Sequence, residues 1–406
     1  MPFCDISIKL RYKGGSVSDL IPSRRGALMK IVIATTVSLL FSLGIPLTLE
    51  AAEPGRTPIL KFESKGMKLE RELMATKSGK TWAMAALPDG NLLATNKSGE
   101  LRLFSVKEKT WRVIPGTPKV ADHGQGGLLD VVLSSDFKTN KKIYLSYAKE
   151  VSKNNYTTAL SSAELEENTL RNLKEIFVAT GSNDNSEHFG GRIVVDSESS
   201  IWLSVGERGE RTNAQRLDNH LGKILRIDSQ GKAHPDNPFI NDKKALSEIY
   251  SYGHRNPQGL ARNRHTKELW EHEHGPRSGD EINIIEKGLN YGWPKATLGK
   301  EYWGPGIGDE HVKGMEDSIA HWTPSIAPCG MLIYDGDALP AWKGLVLTGA
   351  LALTHLNITQ IKDRKRVSEE RLFTEDEERV REIEQTVDGN VWYSTDNGNL
   401  YRIRKI

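Results

Sequence analysis

Apolar residues in this chain come in short runs. One exception is the stretch 31–45, Ile-Val-Ile-Ala-Thr-Thr-Val-Ser-Leu-Leu-Phe-Ser-Leu-Gly-Ile, near the N-terminus. Beyond it a theme repeats without the sequence repeating: a turn rich in Asp, Gly, Ser or Lys, then four or so β-prone residues. Pro88-Asp89-Gly90-Asn91 precedes Leu92-Leu93-Ala94-Thr95, and residues 136–142 precede Ile143-Tyr144-Leu145-Ser146. Residues 196–200 precede Ile201-Trp202-Leu203-Ser204, and His265-Thr266-Lys267-Glu268 precedes Leu269-Trp270-Glu271. Trp342-Lys343-Gly344 precedes Leu345-Val346-Leu347-Thr348, and Asp388-Gly389-Asn390 precedes Val391-Trp392-Tyr393-Ser394. The six runs start 51, 58, 68, 76 and 46 residues apart.

Short strands behind turn signals at a blade-sized interval predict an all-β fold, a six-bladed β-propeller. An open sandwich is the alternative, but closing the ring protects strand edges that a sandwich exposes. The unequal spacing predicts long inserted loops on one face, mostly between the third and fifth units, where function concentrates. Residues 57–73 are expected to supply the strand that closes the ring against Leu400-Tyr401-Arg402-Ile403. The polar stretch 149–170 reads as an outer hairpin insertion, and 369–378 as a charged, solvated loop.

The run 31–45 has the length of an export signal and is short for a membrane span. Lys30 precedes it and Ala51-Ala52 offers small residues for cleavage. The expected organisation is a leader over 1–52, with Met29 as a natural start, and a single propeller domain over 53–406. Ser23-Arg24-Arg25 leaves a twin-arginine route open beside general export. Either route implies a periplasmic or secreted protein with no stable membrane span once the leader is gone.

Composition narrows the partners. The first 52 residues hold six Lys/Arg against three Asp/Glu, so the chain's net +2 leaves the rest close to neutral. That is no electrostatic footprint for nucleic acid. Of two cysteines, Cys4 lies in the leader and Cys329 in the body, so no internal disulfide is expected.

The stretch Tyr252-Gly253-His254-Arg255-Asn256-Pro257-Gln258-Gly259-Leu260 sets a guanidinium beside a carboxamide, with glycines around them. Arginine offers a planar fork of donors to a carboxylate or phosphate, so this is a loop suited to a polar, multi-carboxylate ligand. A structural turn capped by its arginine fits the spacing equally. His188, in Glu187-His188-Phe189-Gly190-Gly191-Arg192, offers a base matched to neutral pH, although a lone histidine also serves structure. Arg379-Val380-Arg381 aims two cations to one side of a strand. They would meet a ligand, or answer the acidic run Glu375-Asp376-Glu377-Glu378 just before them.

These motifs occur in one order with Gly124-Gln125-Gly126-Gly127-Leu128-Leu129-Asp130, His220-Leu221-Gly222-Lys223, Glu273-His274-Gly275-Pro276, Asp280-Glu281-Ile282-Asn283, Asn290-Tyr291-Gly292-Trp293-Pro294 and Pro324-Ser325-Ile326-Ala327-Pro328. From about Lys80 to the C-terminus the chain resembles the soluble glucose/sorbosone dehydrogenases, in particular the aldose sugar dehydrogenases that use pyrroloquinoline quinone (PQQ). The resemblance also implies a six-bladed propeller. It makes His188 the base that takes the proton of a sugar's anomeric hydroxyl. It places Glu207 where the family usually has an aspartate that orients this histidine. Gln125, Arg255, Asn256, Arg379 and Arg381 fall at its cofactor-contacting positions. Glu281 and Tyr291 match its calcium pair, near Gly275 and Pro276, and oxygen-only ligation suits that hard cation. A transition metal on His272 and His274, two apart on one strand face, is the alternative. One position departs from the family: Gly349-Ala350-Leu351 is followed by Ala352, where a lysine is usual.

The function these features imply is PQQ-dependent oxidation of an aldose's C1 hydroxyl to the lactone, with electrons passed to an external acceptor the sequence does not identify. The rivals are a calcium-dependent lactonase on the same fold and a propeller that binds without catalysing, having lost the cofactor.

Overall fold

The structure, a computed structural model, describes residues 59–406 and, apart from them, a two-residue strand pair, Arg11–Tyr12 with Gly15–Ser16. The expected leader therefore lies almost entirely outside the described residues. Among the described residues, no helix is long and apolar enough to cross a membrane.

Six antiparallel sheets follow one another along residues 59–406. Blade 1 is Thr81–Ala86, Leu92–Asn96, Leu101–Ser105 and Thr110–Ile114. Blade 2 is Leu128–Leu133, Lys142–Ser152, Asn155–Glu166 and Thr169–Val178. Blade 3 is Gly190–Val195, Ile201–Val205, Lys223–Ile227 and Ile249–Tyr252. Blade 4 is Pro257–Arg262, Leu269–Glu273, Asp280–Ile285 and Ala320–Trp322. Blade 5 is Pro328–Ile333, Val346–Ala350, His355–Lys362 and Lys365–Leu372. Blade 6 joins Val380–Gln385, Val391–Thr395 and Leu400–Lys405 to two strands from the start of the ring, Met67–Ala75 and Ile59–Ser64. Ile403 pairs with Arg71, so the early strand closes the ring against the last one, as expected.

Each repeated run of the sequence is the second strand of a blade, and each turn before it is the connection from the first strand. The turn chemistry is visible in three of them. Asp89 Oδ1 accepts the Asn91 N–H at 3.0 Å, Asp196 Oδ1 the Glu198 N–H at 2.9 Å, and Asp388 Oδ1 the Asn390 N–H at 3.2 Å. An aspartate that mimics the backbone in this way starts a tight turn. The second strands then pack between neighbouring blades on both faces. The core is accordingly divided among the blade interfaces: Leu93 with Val131 and Leu145 between blades 1 and 2, Leu160 with Leu203 between 2 and 3, Trp270 with Val346 between 4 and 5.

Two expectations need correction. Residues 149–170 are no insertion: the middle strands of blade 2 run on, and the hairpin turns between Ser152 and Asn155. The first part of 369–378 is no loop either, because Glu369 to Leu372 belong to the outer strand of blade 5 and pair back to Leu356–Thr359. Charges were tolerated there because an outermost strand faces water.

First strands line the ring's centre, and one side chain ties several together. Arg192 of blade 3 is 4% exposed. Its Nε donates to Gln258 O of blade 4 at 2.8 Å, its Nη2 lies 3.4 Å from Cys329 Sγ of blade 5, and its Nη1 pairs with Glu382 of blade 6. Burial nevertheless pushes the Glu382 carboxyl up to about 7. A carboxyl raised in the folded state holds its proton more tightly than when unfolded, so its contribution favours the fold at low pH and fades as pH rises through about 7. Arg192→Met should leave Glu382 buried without its cation and cost about 3–5 kcal/mol. The loss should be smaller at acid pH, where Glu382 is neutral, than at alkaline pH. Urea unfolding at the two extremes checks this; equal losses would mean that Glu382 does not feel Arg192.

Candidate active site

In an antiparallel blade the connection leaving the fourth strand and the connection from second to third strand lie at the same end of the ring. Nearly all of the sequence-nominated residues sit in or beside connections of this end. The Asp-rich turns lie at the other.

His188 ends the connection from blade 2 to blade 3. It is 6% exposed and its φ is +55°, a left-handed backbone uncommon for a histidine. Strain of this kind persists only where surrounding bonds impose it. Here the His188 N–H donates to Gln125 Oε1 at 3.0 Å, and Nδ1 meets Glu207 Oε1 at 2.9 Å. Gly206 lets the two strands close, since a Cβ there would stand 2.1 Å from His188 O. Because the Glu207 carboxylate can only accept, Nδ1 carries the hydrogen, and Nε2 faces the site with Glu187 Oε2 3.7 Å away. The glutamate in place of the usual aspartate thus reaches the imidazole. Its second oxygen, Oε2, is buried and has no hydrogen-bond partner.

The same network reaches Arg255 and Asn256 in the connection from blade 3 to blade 4. Glu207 N–H donates to Arg255 O at 2.9 Å, and Gly190 N–H to Asn256 Oδ1 at 3.2 Å. The Arg255 guanidinium lies 5.3 Å from the Trp293 ring centre, and its Nη1 donates to His274 O at 3.0 Å and Gly275 O at 3.4 Å. Its Nε and Nη2 take no protein partner among the described residues, so a donor pair is left for a ligand. His188, Glu207, Gln125, Arg255 and Asn256 therefore form one bonded set, although they come from four different connections.

Sequence reasoning missed the residue that holds this set in place. Arg208 is fully buried, stacks 3.4 Å above the Phe189 ring and donates to the carbonyls of Glu187 and Asn185. Burial lowers its pKa to about 10, which leaves it charged at neutral pH. The charged run Glu207-Arg208 was the signal. Lys223 is a second such residue: fully buried, it donates to the carbonyls of Asn213, Ala214 and Leu221 at 2.6–3.2 Å and closes the loop after Glu207.

Arg379 and Arg381 do lie on one side, but they share Asp396. Arg379 Nε is 2.8 Å from Asp396 Oδ2, and Arg381 Nε 2.9 Å from Oδ1. Neither answers the acidic run before them; Asp376 of that run pairs with Arg71 instead. Arg379 Nη1 also donates to Leu351 O at 2.8 Å, which sets its guanidinium against the turn carrying the exposed Ala352. A cation is thus present beside the position where the usual lysine is missing.

Gly275, Glu281 and Tyr291 line one small cavity together with Arg255, Glu273 and Trp293, while Pro276 is buried beside Gly275 and faces Gly299. The Tyr291 hydroxyl donates to Ile284 O at 2.6 Å and accepts the Glu286 N–H at 2.8 Å, so only its main-chain carbonyl remains for a cation. Burial, reinforced by the neighbouring Glu273, pushes the Glu281 carboxyl well up. A bound cation would reverse that shift, and the donors are all oxygen, which fits calcium. His272 and His274 do not converge on a metal. Their Nε2 atoms reach Gly330 O at 3.0 Å and Pro328 O at 2.8 Å, stitching blade 4 to the first strand of blade 5. Burial lowers both pKa values, that of His272 to about 4, so both rings are neutral.

Residues 78–402 match the family described as Glucose / Sorbosone dehydrogenase. The chain is 38% identical over 340 residues to the aldose sugar dehydrogenase YliI of Escherichia coli, covering 82% of this chain and 92% of that protein. The apo crystal structure of the soluble aldose sugar dehydrogenase of Escherichia coli superposes with a TM-score of 0.80 at 37% identity, over 83% of this chain and 100% of that one. The PQQ-bound aldose sugar dehydrogenase of Streptomyces coelicolor, at 24% identity, shares the fold with a TM-score of 0.70 over 87% of this chain and 99% of that one. The ring, the motif order and these matches together make the chain a member of the glucose/sorbosone dehydrogenase family.

Proposed function

We propose that this protein is a PQQ-dependent aldose dehydrogenase that oxidises the C1 hydroxyl of a sugar to the lactone and hands the electrons to an external acceptor. The observation that carries the reading is the His188–Glu207 pair, bonded through Nδ1 into the same network as the Arg255–Asn256 loop. Family membership supplies the reaction class, and the Streptomyces coelicolor relative is PQQ-bound.

His188 Nε2 takes the hydroxyl proton, and Glu207 stabilises the imidazolium that results. PQQ, when bound, supplies the two-electron acceptor for the hydride leaving C1. Arg255 offers its two unengaged donors to a carboxylate, Asn256 adds its amide, and Arg379 stands by the Ala352 turn. Glu281, Gly275, Pro276 and the Tyr291 carbonyl would hold calcium. The test is dye-linked sugar oxidation by the full-length protein after addition of PQQ and calcium. Activity toward lactones with none toward sugars would sink the reading.

Two further results are expected. Chelation should lower the melting temperature and calcium should restore it, since an ion bound only to the folded state stabilises it by mass action. Glu281→Gln should abolish the calcium-dependent part; a shift that survives this substitution would place the ion elsewhere. Ala352→Lys should tighten PQQ binding. A hydrogen bond to a charged group is worth roughly 1.5–3 kcal/mol, less the entropy of ordering the lysine. Repulsion from Arg379 trims the gain further, leaving about tenfold in affinity. Calorimetric titration of both proteins decides, and equal affinities would show that Arg379 already fills the role.

A further inference from the structure

Behind the Arg255–Asn256 loop, blade 4 holds a second group of side chains that the proposed reaction does not use. Glu271 and Glu273 stand two apart on one strand and so share a face. Asn283 is the register partner of Glu271 on the next strand, and His254 comes from the loop that enters the blade. Their exposures are 0% for His254 and Glu271, 3% for Glu273 and 1% for Asn283.

Each of these side chains is held by one atom and free at another. Ser251 Oγ meets His254 Nε2 at 2.8 Å, and Asn283 Nδ2 donates to Glu271 Oε2 at 3.1 Å. Glu273 Oε2 accepts the main-chain N–H groups of Arg255 and, at 3.1 Å, of Asn256. The remaining atoms, His254 Nδ1, Glu271 Oε1, Glu273 Oε1 and Asn283 Oδ1, are buried and have no hydrogen-bond partner. One ligand atom from each of His254, Glu271 and Glu273 lies within 4.8 Å of the other two, and the unpartnered His254 Nδ1 is 3.6 Å from the unpartnered Glu273 Oε1.

A buried polar atom without a partner costs about 1–3 kcal/mol, and more when charged. Converging lone pairs in so small a space call for something electropositive between them. Ligand atoms held at about 2.0–2.2 Å from one ion stand roughly 3–4 Å apart, close to the spread seen here. The bonds on the far atoms are of the kind that orient metal ligands from behind.

We propose that His254 Nδ1, Glu271 Oε1 and Glu273 Oε1 bind one divalent first-row transition ion of the zinc type, with Asn283 Oδ1 available as a further oxygen. The imidazole nitrogen sets this site apart from the oxygen-only cavity around Glu281. The ion's role is to position. Glu273 grips the ion with one oxygen and the backbone of Arg255 and Asn256 with the other, so it braces the loop that faces the cofactor. This consequence rests on the proposed dehydrogenase reading; the site itself does not.

The experiment uses cobalt as a visible probe on the full-length protein after its metals are stripped. Uptake of one Co2+ per chain with d–d absorption is expected. Glu271→Gln should weaken it by at least the roughly ten- to hundredfold that losing an orienting partner costs, and Ser251→Ala, a milder change behind His254, by about tenfold. Glu281→Gln should leave it unchanged. Absence of cobalt uptake by the folded wild-type protein would overturn the proposal and leave the two carboxyls sharing a proton. Uptake lost in Glu281→Gln but kept in Glu271→Gln and Ser251→Ala would overturn it too, by placing the ion in the neighbouring cavity. Sugar oxidation is not among these readouts, so failure of the dehydrogenase reading would show separately.

Discussion

His188→Ala is expected to lower the rate of sugar oxidation by about 10²–10⁴ while leaving PQQ affinity within a few-fold, because a general base contributes about that much. The separation follows from geometry. What ties His188 to the Arg255 loop is backbone and Gln125, whereas the imidazole itself hydrogen-bonds Glu207 at 2.9 Å and stands 3.7 Å from the exposed Glu187 carboxylate. Alanine keeps the main-chain bond and deletes the base. The left-handed φ of +55° is strained for alanine as for histidine, so the substitution adds little new strain. Steady-state kinetics and a calorimetric PQQ titration on the same preparation check both halves. A variant that turns sugar over at the wild-type rate with cofactor bound would reduce His188 to a structural residue.

Glu207→Gln should cost nearly as much, by a different route. The amide can donate to Nδ1 where the carboxylate could only accept, which moves the imidazole hydrogen to Nε2 and removes the base without removing the ring. A wrong tautomer of this kind costs up to about 10⁴ in the serine protease triad, and an order of 10²–10⁴ is expected here. Glu207 Oε2 has no hydrogen-bond partner, so the amide nitrogen can also turn away from the ring and leave its oxygen on Nδ1, which puts the effect toward the lower end. The distinguishing readout is the pH profile. The limb of that profile set by the catalytic base should move or vanish in the variant, while the melting temperature stays close to wild type. Glu207→Asp should recover part of the rate, since it keeps the charge. An unaltered pH profile in Glu207→Gln would show that the carboxylate does not set the tautomer.

Much of the ring was legible because the second strands of five blades are buried on both faces along their whole length, and that of blade 2 along its first half. Leu92–Asn96, Ile201–Val205, Val346–Ala350 and Val391–Thr395 are buried at every position, so their sequences stand out as largely apolar runs behind Asp- or Gly-bearing turns; Leu269–Glu273 is as buried but spends three positions on Glu271, His272 and Glu273. The middle hairpin of blade 2 has a polar tip and reads as an insertion, and the end of the outer strand of blade 5 carries Glu and Arg and reads as a loop. The regular turns also mark the face away from the site. The irregular connections that build the site carry no repeat, and only their motifs identified them.

The sequence by itself determined the fold class and pointed to the closing strand, since both rest on local burial and strand pattern. Tertiary structure decided the partners. Asp396 takes both Arg379 and Arg381, because blade 6 folds its second and third strands back beside the first. His272 and His274 spend their donors on blade 5 rather than on a metal. His254, Glu271, Glu273 and Asn283 converge because a loop, two strands and their register meet inside one blade. Hydrogen bonds and ion pairs depend on ångström distances between segments, and chain spacing does not carry those distances; strand register within a blade and the packing of one blade against the next set them.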